Sequence, residues 1–168
     1  MKYKFCPKCR GDLIKYSEHN QVVSQCSECD FLFFQNSKPT VSALIVDGNR
    51  LLLGKRRKEP FKGMWDVIGG FLNYGEHPYD GLKREVKEET GLDIEIEKCL
   101  GFFMDVYGKD QDSTMNICFL CKSTGGIEKP GDDIGELRWF AKDEIPKAEI
   151  AFKNGQEMVQ TWLETLHR

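Results

Sequence analysis

The stretch GGFLNYGEHPYDGLKREVKEETGL, residues 69–92, decides how the rest of the chain is read. Its second half predicts a helix from about Pro78 to Thr90, since proline suits a first helical position and Gly91 a C-terminal stop. At about 100° per residue, Glu85, Glu88 and Glu89 stand at i, i+3 and i+4, so their carboxylates project into one sector. Tyr79, Leu82 and Val86 form an adjoining apolar stripe that seats the helix on a sheet, while Lys83 and Lys87 point away. Three neighbouring like charges cost a helix a few tenths of a kcal/mol per pair, and interleaved lysines would have relieved that cost. Their placement elsewhere points to a cation that compensates the cluster, and all-oxygen ligands suit Mg²⁺ or Mn²⁺. Gly81 falls in the same sector, where a missing side chain leaves space for metal or substrate; tolerance of glycine near a helix start explains it equally well.

Upstream of this segment, Thr40–Val46 and Arg50–Leu53 are apolar runs joined by Asp47, Gly48 and Asn49, which predicts a β-hairpin. Further strands are expected over 94–97, 101–107, 115–122 and 136–140, and a second helix over roughly Gln156 to His167. Strands flanking two helices imply an α/β fold, a mixed sheet covered by helices. A polar break at residues 36–39, after the aromatic run 31–34, divides the chain into an expected small module, residues 1–36, and a catalytic-sized domain, residues 37–168.

The small module carries Cys6 and Cys9, then Cys26 and Cys29, two C-x-x-C pairs sixteen residues apart. That spacing fits a four-thiolate zinc ribbon whose closed site holds a structural Zn²⁺ and does no chemistry. Cys118 and Cys121 repeat the C-x-x-C spacing inside a predicted strand, where residues three apart face opposite ways, so they are expected to be buried thiols. A net charge of −3 is against a broad electrostatic grip on nucleic acid, and a polyanionic substrate would need metal ions. No apolar run approaches the roughly 20 residues of a membrane span, and the N-terminus lacks the apolar core of a secretory signal, so a cytoplasmic location is expected.

The opening segment resembles the Nudix box, G-x5-E-x7-R-E-U-x-E-E-x-G-U with U a bulky aliphatic residue. Gly70, Glu76, Arg84, Glu85, Val86, Glu88, Glu89, Gly91 and Leu92 occupy every constrained position. Beyond the box the likeness is looser, through Trp65 and the stretch Leu137–Phe140, and Ile68 stands where the family often has proline. The resemblance implies a Nudix-type sheet sandwiched between helices and a Mg²⁺-dependent pyrophosphohydrolase acting on a nucleotide derivative. It implies that Glu85, Glu88, Glu89 and the carbonyl of Gly69 hold the divalent metal, with an Arg84–Glu76 ion pair orienting Glu85. For the general base it leaves Glu85 or a carboxylate of the later loop, Asp133 before Glu136, against the alternative that both merely solvate a turn.

Lys55, Arg56 and Arg57 are candidates for substrate phosphates, against a solvated basic run; Phe61, Trp65, Phe103 and Tyr107 are candidates for stacking a base, against a place in the core. His77 is read as a helix-start or surface residue. A zinc ribbon before a Nudix domain resembles NADH pyrophosphatases, which also remove NAD caps from RNA, but their S-Q-P-W stretch is absent: residues 98–107 read KCLGFFMDVY. ADP-ribose or a related ADP-linked molecule is therefore the first expected substrate, and NADH or NAD-capped RNA the alternative. A non-catalytic RNA- or protein-binding module on a Nudix scaffold is the other alternative. Lys2, Lys4, Lys8, Arg10 and Lys15 surround the first knuckle as a weak basic patch for RNA, although the ribbon serves as well to extend the core or a dimer interface. A homodimer is expected from the family resemblance alone.

Overall fold

The chain divides into two compact units, Met1–Ser37 and Lys38–Arg168. The computed structural model describes residues 3–18 and 21–166; Lys2 and His167, named above, lie outside them. The first unit is an antiparallel sheet of β1 (Leu13–Glu18), β2 (Gln21–Cys26) and β3 (Leu32–Phe34), in that order. None of these strands was expected from composition. Register sets Leu13 opposite Cys26, and both are buried with Cys6 and backed by Cys29 and Phe31. So small an apolar core is far below what normally sustains a fold alone.

In the second unit, β4 (Lys38–Asp47) is buried from Thr40 to Val46, the pattern of a strand covered on both faces. It turns through Gly48 and Asn49 into β5 (Arg50–Arg56), with Val46 opposite Leu51. Gly48 has φ 60°, as the first position of a two-residue hairpin turn demands. Two short strands, β6 (Trp65–Asp66) and β7 (Ile68–Phe71), pair with β5 and β4 respectively. After α1 (Pro78–Thr90) come β8 (Leu92–Tyr107), β9 (Asp112–Gly126), β10 (Ile134–Ala141) and α2 (Lys153–Thr165). The main path of the sheet is β10-β5-β4-β9-β8, mixed because β4 and β9 run parallel.

Two expected strands, 94–97 and 101–107, are one sixteen-residue strand. Register shifts between Ile96 and Lys98 and between Cys99 and Gly101 interrupt its pairing with β9 without ending the strand.

Alternation along the strands gives the sheet two cores. On one face, Val41, Ala43, Ile45, Phe119 and Cys121 pack with Leu82 and Val86 of α1. On the other, Leu44, Leu53, Cys118 and Phe140 pack with Met158, Val159 and Trp162 of α2. The sheet is thus sandwiched between the helices, and Cys118 and Cys121 lie buried on opposite sides of it, as a period of two requires. Burial pushes both thiols up, Cys121 to about 12. No helix among the described residues is long and apolar enough to cross a membrane.

Candidate functional site

Helix α1 begins as its sequence dictates. His77 is the N-cap, its Nδ1 accepting from the Tyr79 N–H at 3.2 Å, Pro78 follows, and Gly91 closes the helix at φ 70° with its N–H on the Lys87 carbonyl. Arg84 uses all five of its donors locally. Nε and Nη2 grip Glu76 at 2.7 and 2.8 Å, Nη1 reaches Glu85 at 2.8 Å and Glu88 at 3.2 Å, and Nη2 also reaches the Phe71 carbonyl at 3.2 Å. The planar guanidinium thereby ties the loop before the helix to two of the three glutamates. Beside Arg84 and the Asn73 N–H, the Glu76 carboxyl is held down at about 2.

Glu85 and Glu89 line a cleft of about 280 Å³ with Gly69, Gly70, Asp132 and Asp133. Glu89 is 7% exposed and accepts from the Gly69 N–H at 2.9 Å. Burial first, then the charges of Glu85, Asp66 and Asp133, push its carboxyl well above the usual carboxylate range. Burial likewise raises Glu85, against the lowering effect of Arg84. Carboxylates held against their own desolvation are ready partners for a cation. The glycines permit the crowding. A Cβ on Gly70 would stand 2.6 Å from the Glu85 carboxyl, and one on Gly69, whose φ is 149°, would meet the Val41 carbonyl at 2.1 Å.

The remaining expected residues divide. Asp133 reaches the cleft because its loop is docked on the end of α1, with Lys129 N–H on the Thr90 carbonyl and Gly131 N–H on the Glu89 carbonyl, both 2.9 Å. It pairs with Lys58. Glu88 has a half-exposed side chain on Arg84, and Glu136 pairs with Lys55 at 3.7 Å; neither lines the cleft. Gly81 is not a gap left for metal: a Cβ there would stand 2.3 Å from Leu72 and 3.0 Å from Glu76, so glycine lets the preceding loop close on the helix.

Of the basic run only Arg56 lines the cleft, bonded to the Pro60 carbonyl and to Asp66 and lying over the Phe152 ring. Of the aromatic candidates Tyr107 lines it, whereas Trp65 is core, packed edge-on against Phe140. Phe152 and Asn154, at the start of α2, also line the cleft, and nothing in their local sequence marks them. Asn154 is held there by its N–H on Asp105 at 2.9 Å.

In the first unit the four sulfurs of Cys6, Cys9, Cys26 and Cys29 lie within 4.8 Å of one another. Separations of 3.8, 3.4 and 3.5 Å for Cys6–Cys29, Cys9–Cys26 and Cys9–Cys29 approach the roughly 3.8 Å edge of a tetrahedron with metal–sulfur bonds of about 2.3 Å. The N–H groups of Lys8 and Glu28 point at Cys6 and Cys26 sulfurs, each at 3.4 Å. Although burial raises it, the Cys6 thiol is brought down to about 7, chiefly by the Cys9 and Lys8 N–H groups. By donors and dimensions these four thiols could hold one metal ion.

Residues 36–161 match the family model described as NUDIX domain. The NAD-capped RNA hydrolase NudC of Vibrio atlanticus is 28% identical over 166 residues, 98% of this chain and 59% of that protein. The ADP-ribose pyrophosphatase of Methanocaldococcus jannaschii is 36% identical over 107 residues, 64% of this chain and 63% of that protein. The chain therefore spans about three fifths of the length of these curated relatives. Among solved structures, a NUDIX hydrolase from Nitrosomonas europaea superposes with a TM-score of 0.80 at 27% identity, covering 98% of this chain and 93% of that one.

Proposed function

The chain belongs to the NUDIX domain family, and from that premise we propose that it is a Mg²⁺- or Mn²⁺-dependent pyrophosphohydrolase that cuts the diphosphate linkage of a nucleoside diphosphate derivative, ADP-ribose before others. The observation that carries this is the pair Glu85, half-buried, and Glu89, buried, which line one cleft and are destabilised there as anions. Their hard oxygens, joined by the Gly69 carbonyl and by Glu88 once it leaves Arg84, would form a donor set suited to hard divalent cations and to no soft metal. Bound there, such cations would neutralise the diphosphate oxygens and lower the pKa of a water.

The chain's own residues do the rest. Arg84 fixes Glu85, and the Gly69 N–H fixes Glu89. Asp133, or else Glu85, takes the proton of the attacking water as its oxygen bonds to phosphorus; the bridging oxygen departs with the electron pair of the broken anhydride bond. Glu136 is left without a role in that step by its place on Lys55. Tyr107 and Phe152 supply aromatic groups in the cleft lining against which a base can pack. In the N-terminal unit Cys6, Cys9, Cys26 and Cys29, as thiolates, would hold a structural Zn²⁺.

A second reading, hydrolysis of NADH or of the NAD cap of RNA, is supported by the alignment with the Vibrio atlanticus protein, which takes in the cysteine unit. Lys4, Lys8, Arg10 and Lys15 would there offer RNA a weak contact. Homodimerisation belongs to the proposal through family resemblance alone, and a cytoplasmic location through the lack of any apolar run of membrane-spanning length in the sequence.

The test is release of AMP from ADP-ribose, NADH, NAD⁺ and NAD-capped RNA, with Mg²⁺ and with chelator. Metal-dependent hydrolysis of ADP-ribose first is expected; hydrolysis of NADH or capped RNA in preference would establish the second reading. Glu89→Gln should lower kcat by more than the roughly 10- to 100-fold that loss of an outer partner costs, with the fold intact by circular dichroism. Unchanged activity in that variant would remove Glu89 from the metal site.

A further inference from the structure

On β4 and β9 the cleft is lined by Thr40, Ser42, Thr114 and Asn116, each less than a tenth exposed. Strand alternation puts these four on the same face as Leu44 and Cys118, which belong to the apolar core beneath α2. The face therefore changes from apolar to neutral polar where the cleft begins, and buried neutral polar groups are costly unless they are paired. Asn116 is only half paired. Its Nδ2 donates to the Ser42 Oγ at 2.9 Å, and its Oδ1 is buried with no hydrogen-bond partner among the described residues.

An amide that retains one N–H and a free carbonyl oxygen complements the edge of adenine, where a 6-amino donor lies beside the N7 acceptor. Strand β9 is separated from the Gly69–Gly70 strand by β4 alone, two strand spacings or roughly 10 Å, which is the reach of one nucleoside from base edge to 5′-phosphate. Tyr107 and Phe152, stacked on each other with ring centroids 5.9 Å apart and planes 27° from parallel, also line the cleft and add aromatic groups against which a base can pack.

We propose that Asn116 is a specificity-determining residue that reads the nucleobase, favouring a 6-amino purine over a 6-oxo purine by accepting the exocyclic N–H at Oδ1 and donating to N7. The orientation of the nucleotide in this assignment rests on the hydrolase function proposed above, which puts the diphosphate at Glu85 and Glu89.

The experiment is calorimetric titration of the full chain, with Mg²⁺ present, using AMP and IMP as probes, beside the ADP-ribose hydrolysis assay. The wild type should bind AMP about tenfold or more tighter than IMP, the discrimination expected of a bidentate amide–adenine pair. Asn116→Leu, and Asn116→Thr as a smaller replacement suited to a strand, should bring the two affinities together in protein that circular dichroism shows folded. Equal binding of AMP and IMP by the wild type, the wild-type ratio surviving in either folded variant, or no AMP binding by a chain that hydrolyses ADP-ribose would each overturn the assignment. Should hydrolysis be absent while the AMP preference and its loss in the variants are present, the hydrolase function falls and the base-reading role stands.

Discussion

Arg84 shows how much of this site hangs on one planar side chain. Its fork holds Glu76 on one side and Glu85 and Glu88 on the other, and no lysine reproduces that geometry from a single point charge. Arg84→Lys should therefore lower kcat by about 10- to 100-fold, with a smaller effect on KM, as steady-state kinetics on ADP-ribose will measure. Asp66 offers a test of electrostatics. Buried beside Arg56, its carboxyl is pushed up to about 6, chiefly by desolvation, from an ordinary value of 3.8. A folded-state pKa above the unfolded one gives a contribution to stability that is complete below pH 3.8 and is lost as pH rises through about 6. Asp66→Asn should flatten the pH dependence of unfolding free energy in that window by at most about 3 kcal/mol, read from denaturant midpoints across the range.

Among the elements, α1 was the most legible, because capping residues, a periodic apolar stripe and three carboxylates at helical spacing all point one way. The short strand β7 was not legible. Its two glycines look like a loop, yet they pair with Ser42 and Val41 and let Glu85 approach the backbone, a role that appears only once the helix is docked. The long strand β8 was hidden by its own bulges. Helix α2 contributes differently: Trp162, 2% exposed, seals the core on its face of the sheet, while the residues that begin the helix line the cleft. Trp162→Ala should cost about 3–5 kcal/mol of stability by chemical denaturation, since the cavity it leaves in a close-packed core cannot fully collapse.

For the molecule as a whole, the N-terminal unit has little apolar core beyond its cysteines, so its folding should depend on the metal. Metal analysis of the purified protein should find about one zinc per chain, lost in Cys26→Ala, and a fully folded metal-free N-terminal unit would sink this prediction. The chain by itself determined the helix with its carboxylates and the pairing of the four cysteines, because each is written in local spacing: 3.6 residues per turn, or a tight turn between paired cysteines. Only the tertiary structure decided that Arg56, Tyr107, Phe152, Asn154 and Asn116 share one cleft with Glu85 and Glu89, that Glu136 does not, and that Gly81 is a packing contact. Those relations depend on strand register and on where loops dock across the sheet, and such long-range contacts leave no periodic mark on the residues that make them.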